Sequence, residues 1–121
     1  MIEMTVLQAS QTLCCCLRGV QSAAEFGALS SVLPSTSSQR RWRILFDWTE
    51  LLGWDDRRAL NLSCQFWHSA ADRIVRVSIV HQHRWNHQAA LLAAVLRVRD
   101  VQVRSWSPRY RVQALTWLSQ Q

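Results

Sequence analysis

The spacing of apolar residues divides the chain into three stretches. Residues 1 to 26 carry Met4, Leu7, Leu13 and Val20 among polar neighbours, a loosely amphipathic pattern that predicts a helix. From Gly27 to Gln39 the composition shifts to Ser, Thr, Pro and Gly. Ser35 to Ser38 reads as a linker, and Pro34 interrupts any helix there. From Arg41 to Gly53, Ile44, Leu45, Trp48, Leu51 and Leu52 recur at three- and four-residue steps, the stripe of a helix with one buried face, and Gly53 would end it. Asp55 and Asp56 then stand where a carboxylate suits a helix N-terminus. Ala59, Leu60, Leu62, Cys64, Phe66, Trp67, Ala70 and Ala71 follow as two short helices in close succession.

At Ile74 the period changes. Val75, Val77 and Ile79 surround Arg76 and Ser78, which predicts a strand. Trp85 to Leu96 is helical again through Ala89, Leu92, Val95 and Leu96. Val101 and Val103 alternate with Gln102 and Arg104 as a second short strand. Ser107-Pro108 opens a last helix with Tyr110, Ala114, Trp117 and Leu118 on its buried face. The expected fold class is mainly α with short strands. Its units are an N-terminal helix and linker over 1–39, a helical segment over 40–73, and β-α-β-α units over 74–121. In the last, 26 positions separate Val77 from Val103, a leucine-rich-repeat-like spacing.

Composition narrows the chemistry. The 121 residues fit one compact domain, and seven tryptophans supply much of the core volume. The net charge is +6 and all 14 basic residues are arginine. A guanidinium fork suits carboxylates and phosphates, although the arginines are scattered and a biased composition also accounts for them. Cys14, Cys15 and Cys16 are consecutive, unlike the spaced framework of a disulfide-rich domain. No signal-like start and no long apolar run are present, so a cytoplasmic or nuclear protein with no membrane partner is expected.

The segment Leu51 to Arg73, LLGWDDRRALNLSCQFWHSAADR, resembles the second half of an F-box. Leu52 holds the leucine, Asp56 the aspartate, Cys64 and Trp67 the Cys-x-x-Trp pair, and Ala70-Ala71 the small residues after it. The opening Leu-Pro is absent near Arg40-Arg41, Arg57 stands in place of a leucine, and Ser63 in place of a valine. Arg76 to Ile79 and Val98-x-x-Val101-x-Val103 resemble the first strands of the leucine-rich repeats in plant F-box receptors. The resemblance implies a non-catalytic substrate receptor of an SCF ubiquitin ligase. Its helices would bind the Skp adaptor subunit, and its repeats an unknown protein substrate.

The physics of such a helix pair points the same way, because it cannot bury both faces alone. Trp48, Leu51, Leu52, Leu60 and Phe66 are the candidates for its docking face, and Leu45, Asp56 and Trp67 complete the partner-binding set. Of these residues Trp67, with Cys64, fits a core between helices better than a docking face, because a free cysteine packs as a small hydrophobe and the indole pivots between helices.

No catalytic or metal site emerges. His83 and His87 share a helical spacing, but no carboxylate or second cysteine completes a shell. Asp47, Glu50, Asp55 and Asp56 have no nucleophile beside them. No cofactor is implied. The competing reading is an arginine-rich RNA-binding or scaffold component. It would use Arg97, Arg99, Arg104, Arg109 and Arg111 with Trp106 and Tyr110. A third is a truncated fragment, since two repeat units fall short of a stable array.

Overall fold

The computed structural model describes residues 2–7, 11–22, 42–54 and 57–120, with side chains described outside positions 57–60 and 62. Its centre is a five-stranded sheet in the order β1-β2-β4-β6-β7. The strands are β1 Ile2–Leu7, β2 Thr12–Leu17, β4 Trp42–Asp47, β6 Ile74–Val80 and β7 Gln102–Trp106. β1 runs antiparallel to β2, and β2, β4, β6 and β7 are mutually parallel. β3 (Gly19–Gln21) and β5 (Leu51–Trp54) form a small parallel ribbon beside it. The helices are α1 Arg57–Ala70, α2 Asn86–Arg97 and α3 Arg111–Ser119. Each parallel pair β4/β6 and β6/β7 is joined by a helical crossover, as parallel strands require.

Among the described residues two helices cover one face and one covers the other. On the first face Leu13, Cys15 and Leu17 of β2, Ile44 and Phe46 of β4, Val77 and Ile79 of β6 and Val103 of β7 pack with Trp67, Ala70, Leu92, Ala93 and Leu96. On the second, Leu45 and Val80 pack under Ala114 and Leu118 of α3. This two-sided burial corrects the helix expected over 41–53. Ile44, Leu45 and Phe46 are consecutive and all at most 1% exposed. A strand buried on both faces reads as an unbroken apolar run, and the run continues through buried Trp48 to Leu51 at steps that happen to match a helix. Gly53 ends no helix. It lies in β5 at φ +157°, where a Cβ would come 3.9 Å from the Trp85 ring.

The N-terminal expectation also changes. Ile2, Met4 and Val6 alternate with Glu3 and Thr5 along β1, and the three cysteines alternate along β2 rather than around a helix. Cys15 faces the main core, whereas Cys14 and Cys16 lie on the α3 side. The two short helices expected after Asp56 are one 14-residue helix, α1, followed by a 3-10 turn at Ala71–Arg73. The linker expected at 27–39 lies outside the described residues.

From Ile74 onward the elements fall where the periodicity puts them, but they do not form leucine-rich repeats. β6 and β7 are adjacent strands of a sheet with helices on both faces. The chain is a mixed α/β protein, not a mainly helical one. α2 ends with Asp100 at φ +65°. There the Val101 N–H donates to the Leu96 carbonyl (3.2 Å) and the Asp100 N–H to that of Arg97 (3.0 Å), the paired bonds of a Schellman end. No described helix is long and apolar enough to cross a membrane.

Candidate functional site

β7 and β6 place alternate residues on the α3 face: Arg104 and Trp106 from β7, Arg76 and Ser78 from β6. α3 brings Trp117 down onto them. The Trp106 indole N–H donates to Ser78 Oγ (3.2 Å), and that hydroxyl donates to the Ala114 carbonyl (3.0 Å), tying strand to helix. Arg76 Nη1 donates to the Trp117 carbonyl near the end of α3 (2.8 Å). The two indoles sit 6.4 Å apart, tilted by 54°. Both arginines stack on them. Arg76 lies 5.1 Å from the Trp117 centroid, and Arg104 lies 5.4 Å from Trp106 and 5.6 Å from Trp117. Beside them opens a pocket of about 330 Å³ lined by Arg104, Trp106, Gln113, Thr116, Trp117 and Gln120.

The electrostatics of this pocket are one-sided. No described carboxylate lies within ion-pair distance of Arg76 or Arg104. A guanidinium over an indole ring contributes about 0.5–1 kcal/mol at an exposed site, and Arg76 also spends one N–H on the Trp117 carbonyl. An indole floor, a fixed cation and the side-chain amides and hydroxyl of Gln113, Thr116 and Gln120 make a concave surface suited to a flat anion.

A second concavity of about 240 Å³ lies at the carboxyl ends of β2 and β4, lined by Cys16, Arg18, Asp47, Thr49, Glu50, Pro108 and Arg111. Its charges cancel within it. Arg18 pairs with Glu50 (2.7 Å) and Glu3 (3.4 Å), and Arg111 Nε donates to Asp47 Oδ2 (3.1 Å). Burial works against the Asp47 charge, but hydrogen bonds from Thr49 and Arg111 outweigh it and hold the carboxyl below its ordinary value. Burial pushes the Cys16 thiol up, more than the hydrogen bond with Arg18 pulls it down, and burial pushes Cys14 up as well. Thiols so held are protonated at neutral pH and weak nucleophiles.

A third, about 430 Å³, lies between α1 and α2 and is lined by Cys64, Gln65, His68, Ser69 and Val95. There the Ser69 hydroxyl donates to the Gln65 carbonyl within α1, and no Asp, Glu or Arg side chain is among the described lining residues.

The residues expected to bind a partner are scattered. Leu45, Trp48, Leu51 and Trp67 are at most 2% exposed and belong to the cores on the two sides of the sheet. Trp67 meets Phe46 edge-on at 4.7 Å, and Phe66 is partly buried beside it. Among the described ones Leu52 alone is well exposed, at 63%. Asp56 and the Leu60 side chain lie outside the described residues. The five arginines grouped as an RNA-contacting set separate too. Arg97 donates to the Val103 carbonyl and Arg99 to that of His68, Arg109 stacks on Tyr110, and Arg111 joins Asp47. Sequence reasoning named Arg104 and Trp106 but missed Arg76 and Trp117. The period-two placement of Arg104 and Trp106 on one strand face was the available signal. Among the described residues no group of three or more His, Cys, Asp or Glu side chains could hold a metal.

No protein-family model matches the sequence, and no curated protein matches it. Solved structures do. One is the crystal structure of an uncharacterized protein from the DUF3478 family with a SpoIIAA-like fold, from Shewanella loihica PV-4. The similarity spans 98% of this chain and 92% of that one, at a TM-score of 0.75 and 17% sequence identity. This chain has a SpoIIAA-like fold.

At that identity the likeness carries the fold and no functional residue. It overturns the F-box resemblance. The Cys-x-x-Trp pair sits on a helix packed against a sheet, the residues before that helix are strands, and the elements after it complete the same sheet. The expected F-box and leucine-rich-repeat assignment, the place in a ubiquitin ligase and the Skp adaptor as partner all fall with it. The arrangement also supplies no support for the RNA-binding alternative, whose arginines are dispersed.

Proposed function

We propose that this chain is a non-catalytic binding module that takes a small, flat, anionic ligand in the pocket between β7 and α3. The observation that carries the reading is Arg104 in the pocket lining, stacked on Trp106 and Trp117 with no described carboxylate within ion-pair distance of it, and Arg76 stacked on the same Trp117 beside the pocket. Arginines already ordered by stacking lose little further freedom on binding, so more of the interaction energy appears as affinity. A pocket of about 330 Å³ is at the lower end of small-ligand sites, which sets a ligand of one or two rings. The non-catalytic assignment rests on the neutral thiols of Cys14 and Cys16 and on the engagement of Asp47 by Thr49 and Arg111.

The test uses phenyl phosphate and benzoate as probes, with benzamide as the uncharged control, followed by NMR of the tryptophan indole N–H signals. Both anions should shift the Trp106 and Trp117 signals while benzamide does not, and Arg104→Gln should abolish the response. Equal shifts with benzamide, or an unchanged response in Arg104→Gln, would refute the reading.

A further inference from the structure

Three neighbouring strands of the main sheet put like charges side by side. In the parallel register Arg43 of β4 is the direct partner of Arg76 on β6, and Ser78, two positions on, is the partner of Arg104 on β7. Register partners in a sheet share a face, so all three guanidinia arise on the α3 side, where Leu45, two positions beyond Arg43, packs under that helix. No described carboxylate lies within ion-pair distance of any of them.

Like charges directly opposed across strands destabilise a sheet unless water or an anion relieves them. Arg76 finds part of that relief at the Trp117 carbonyl, near the negative end of the α3 dipole. Arg43 is less well served. It is half-buried, and its Nε is shut off from solvent with no hydrogen-bond partner. The pocket lined by Arg104, Trp106 and Trp117 lies at the β7 end of this row. At about 4.8 Å per strand, the Arg43 backbone stands about 10 Å from β7, on the far side of β6. A one-ring ligand in the pocket is then within range of the Arg43 charge, because the screening length at 10 mM salt is about 30 Å.

We propose that the pocket selects a doubly charged ligand, a planar ring bearing a phosphoryl dianion, over a singly charged one, and that Arg43 is a specificity-determining residue acting through the field of the arginine row. This deepens the binding function proposed above and rests on it. The second negative charge on the ligand meets the same three cations as the first, whereas the indole floor gains little from it. At about 10 Å and an effective dielectric of about 40–80, between protein surface and water, one pair of unit charges changes affinity about two- to four-fold. Arg104 is nearer and contributes more.

The test compares phenyl phosphate, a dianion at pH 8, with methyl phenyl phosphate, which keeps the ring and the phosphoryl group but carries one charge. Both are titrated at about 10 mM salt and followed at the Trp106 and Trp117 indole N–H signals. Phenyl phosphate should bind about ten-fold more tightly. Arg43→Gln should cut that ratio about two- to four-fold, and Arg43→Lys, which keeps the charge, should preserve it. Circular dichroism checks that both variants fold. If both probes bind with a ratio near one, if Arg43→Gln leaves the ratio unchanged, or if Arg43→Lys loses as much as Arg43→Gln, the selectivity proposal is overturned while the anion pocket stands. Failure of both probes to bind overturns the pocket and the selectivity together.

Discussion

Leu51 and Leu52 are neighbours in sequence and opposites in the structure, which makes truncating each in turn a quantitative test of β5. Leu51 is fully buried in the main core, and Leu52 is 63% exposed. Leu51→Ala removes three carbons from that core, about 2.4 kcal/mol at about 0.8 kcal/mol per buried carbon. The cavity left among Trp48 and its neighbours adds a further term, so the total cost is about 3–4 kcal/mol. Leu52→Ala removes the same atoms from a site that is mostly in water already, and costs less than about 1 kcal/mol. In a domain of this length the first substitution lowers Tm by about 10 °C and the second by about 3 °C or less. Differential scanning calorimetry with urea unfolding at 25 °C reads both. Equal losses at the two positions would refute the strand assignment, because adjacent leucines on one helical docking face would behave alike.

Two further outcomes come from local geometry and burial. Asp100 holds a left-handed conformation at the end of α2, so Asp100→Gly should raise stability by about 0.5–1 kcal/mol and Asp100→Val lower it by about 1–2 kcal/mol, read by thermal melts. Burial pushes the Cys15 thiol up to about 12 from 9.0, so the folded state favours the neutral form. That contribution is complete below pH 9 and declines above it as the unfolded thiol ionises, so denaturant midpoints should fall on the alkaline side less steeply in Cys15→Ala. Cys15 should also resist a thiol-specific reagent until the chain unfolds.

The carboxyl-terminal half was legible because its strands and helices differ in period. Ile74 to Ile79 alternates, Trp85 to Leu96 does not, and Ser107-Pro108 marks the last helix start. The amino-terminal half was misread for two separate reasons. In β4 both faces are buried, so Ile44-Leu45-Phe46 shows no alternation, and helical steps across the β4–β5 connection arise from Trp48 and Leu51 entering the core between strands. In β1 Ile2, Met4 and Val6 alternate with Glu3 and Thr5, but the period-two signal spans only six residues and is outweighed by the apolar positions that follow it. The Cys-x-x-Trp pair misled for a general reason. Residues three apart share a helix face, so any helix that packs on a sheet can carry a small thiol and an indole at that spacing.

The site was half legible. Arg104 and Trp106 stand two apart on a strand and must share a face. Arg76 and Trp117 join them only because β6 is the neighbour of β7 and α3 folds back across both, a tertiary fact with no local signal.

The fold and both proposals depend on Trp42–Asp47 being an inner parallel strand between β2 and β6. Interstrand NOEs in the NMR spectrum of the labelled protein test this directly. Backbone contacts from Leu45 to Cys14 on one side and to Ser78 on the other are the predicted result. A ladder of contacts between residues three apart through 42–52, with none to β2 or β6, would contradict it.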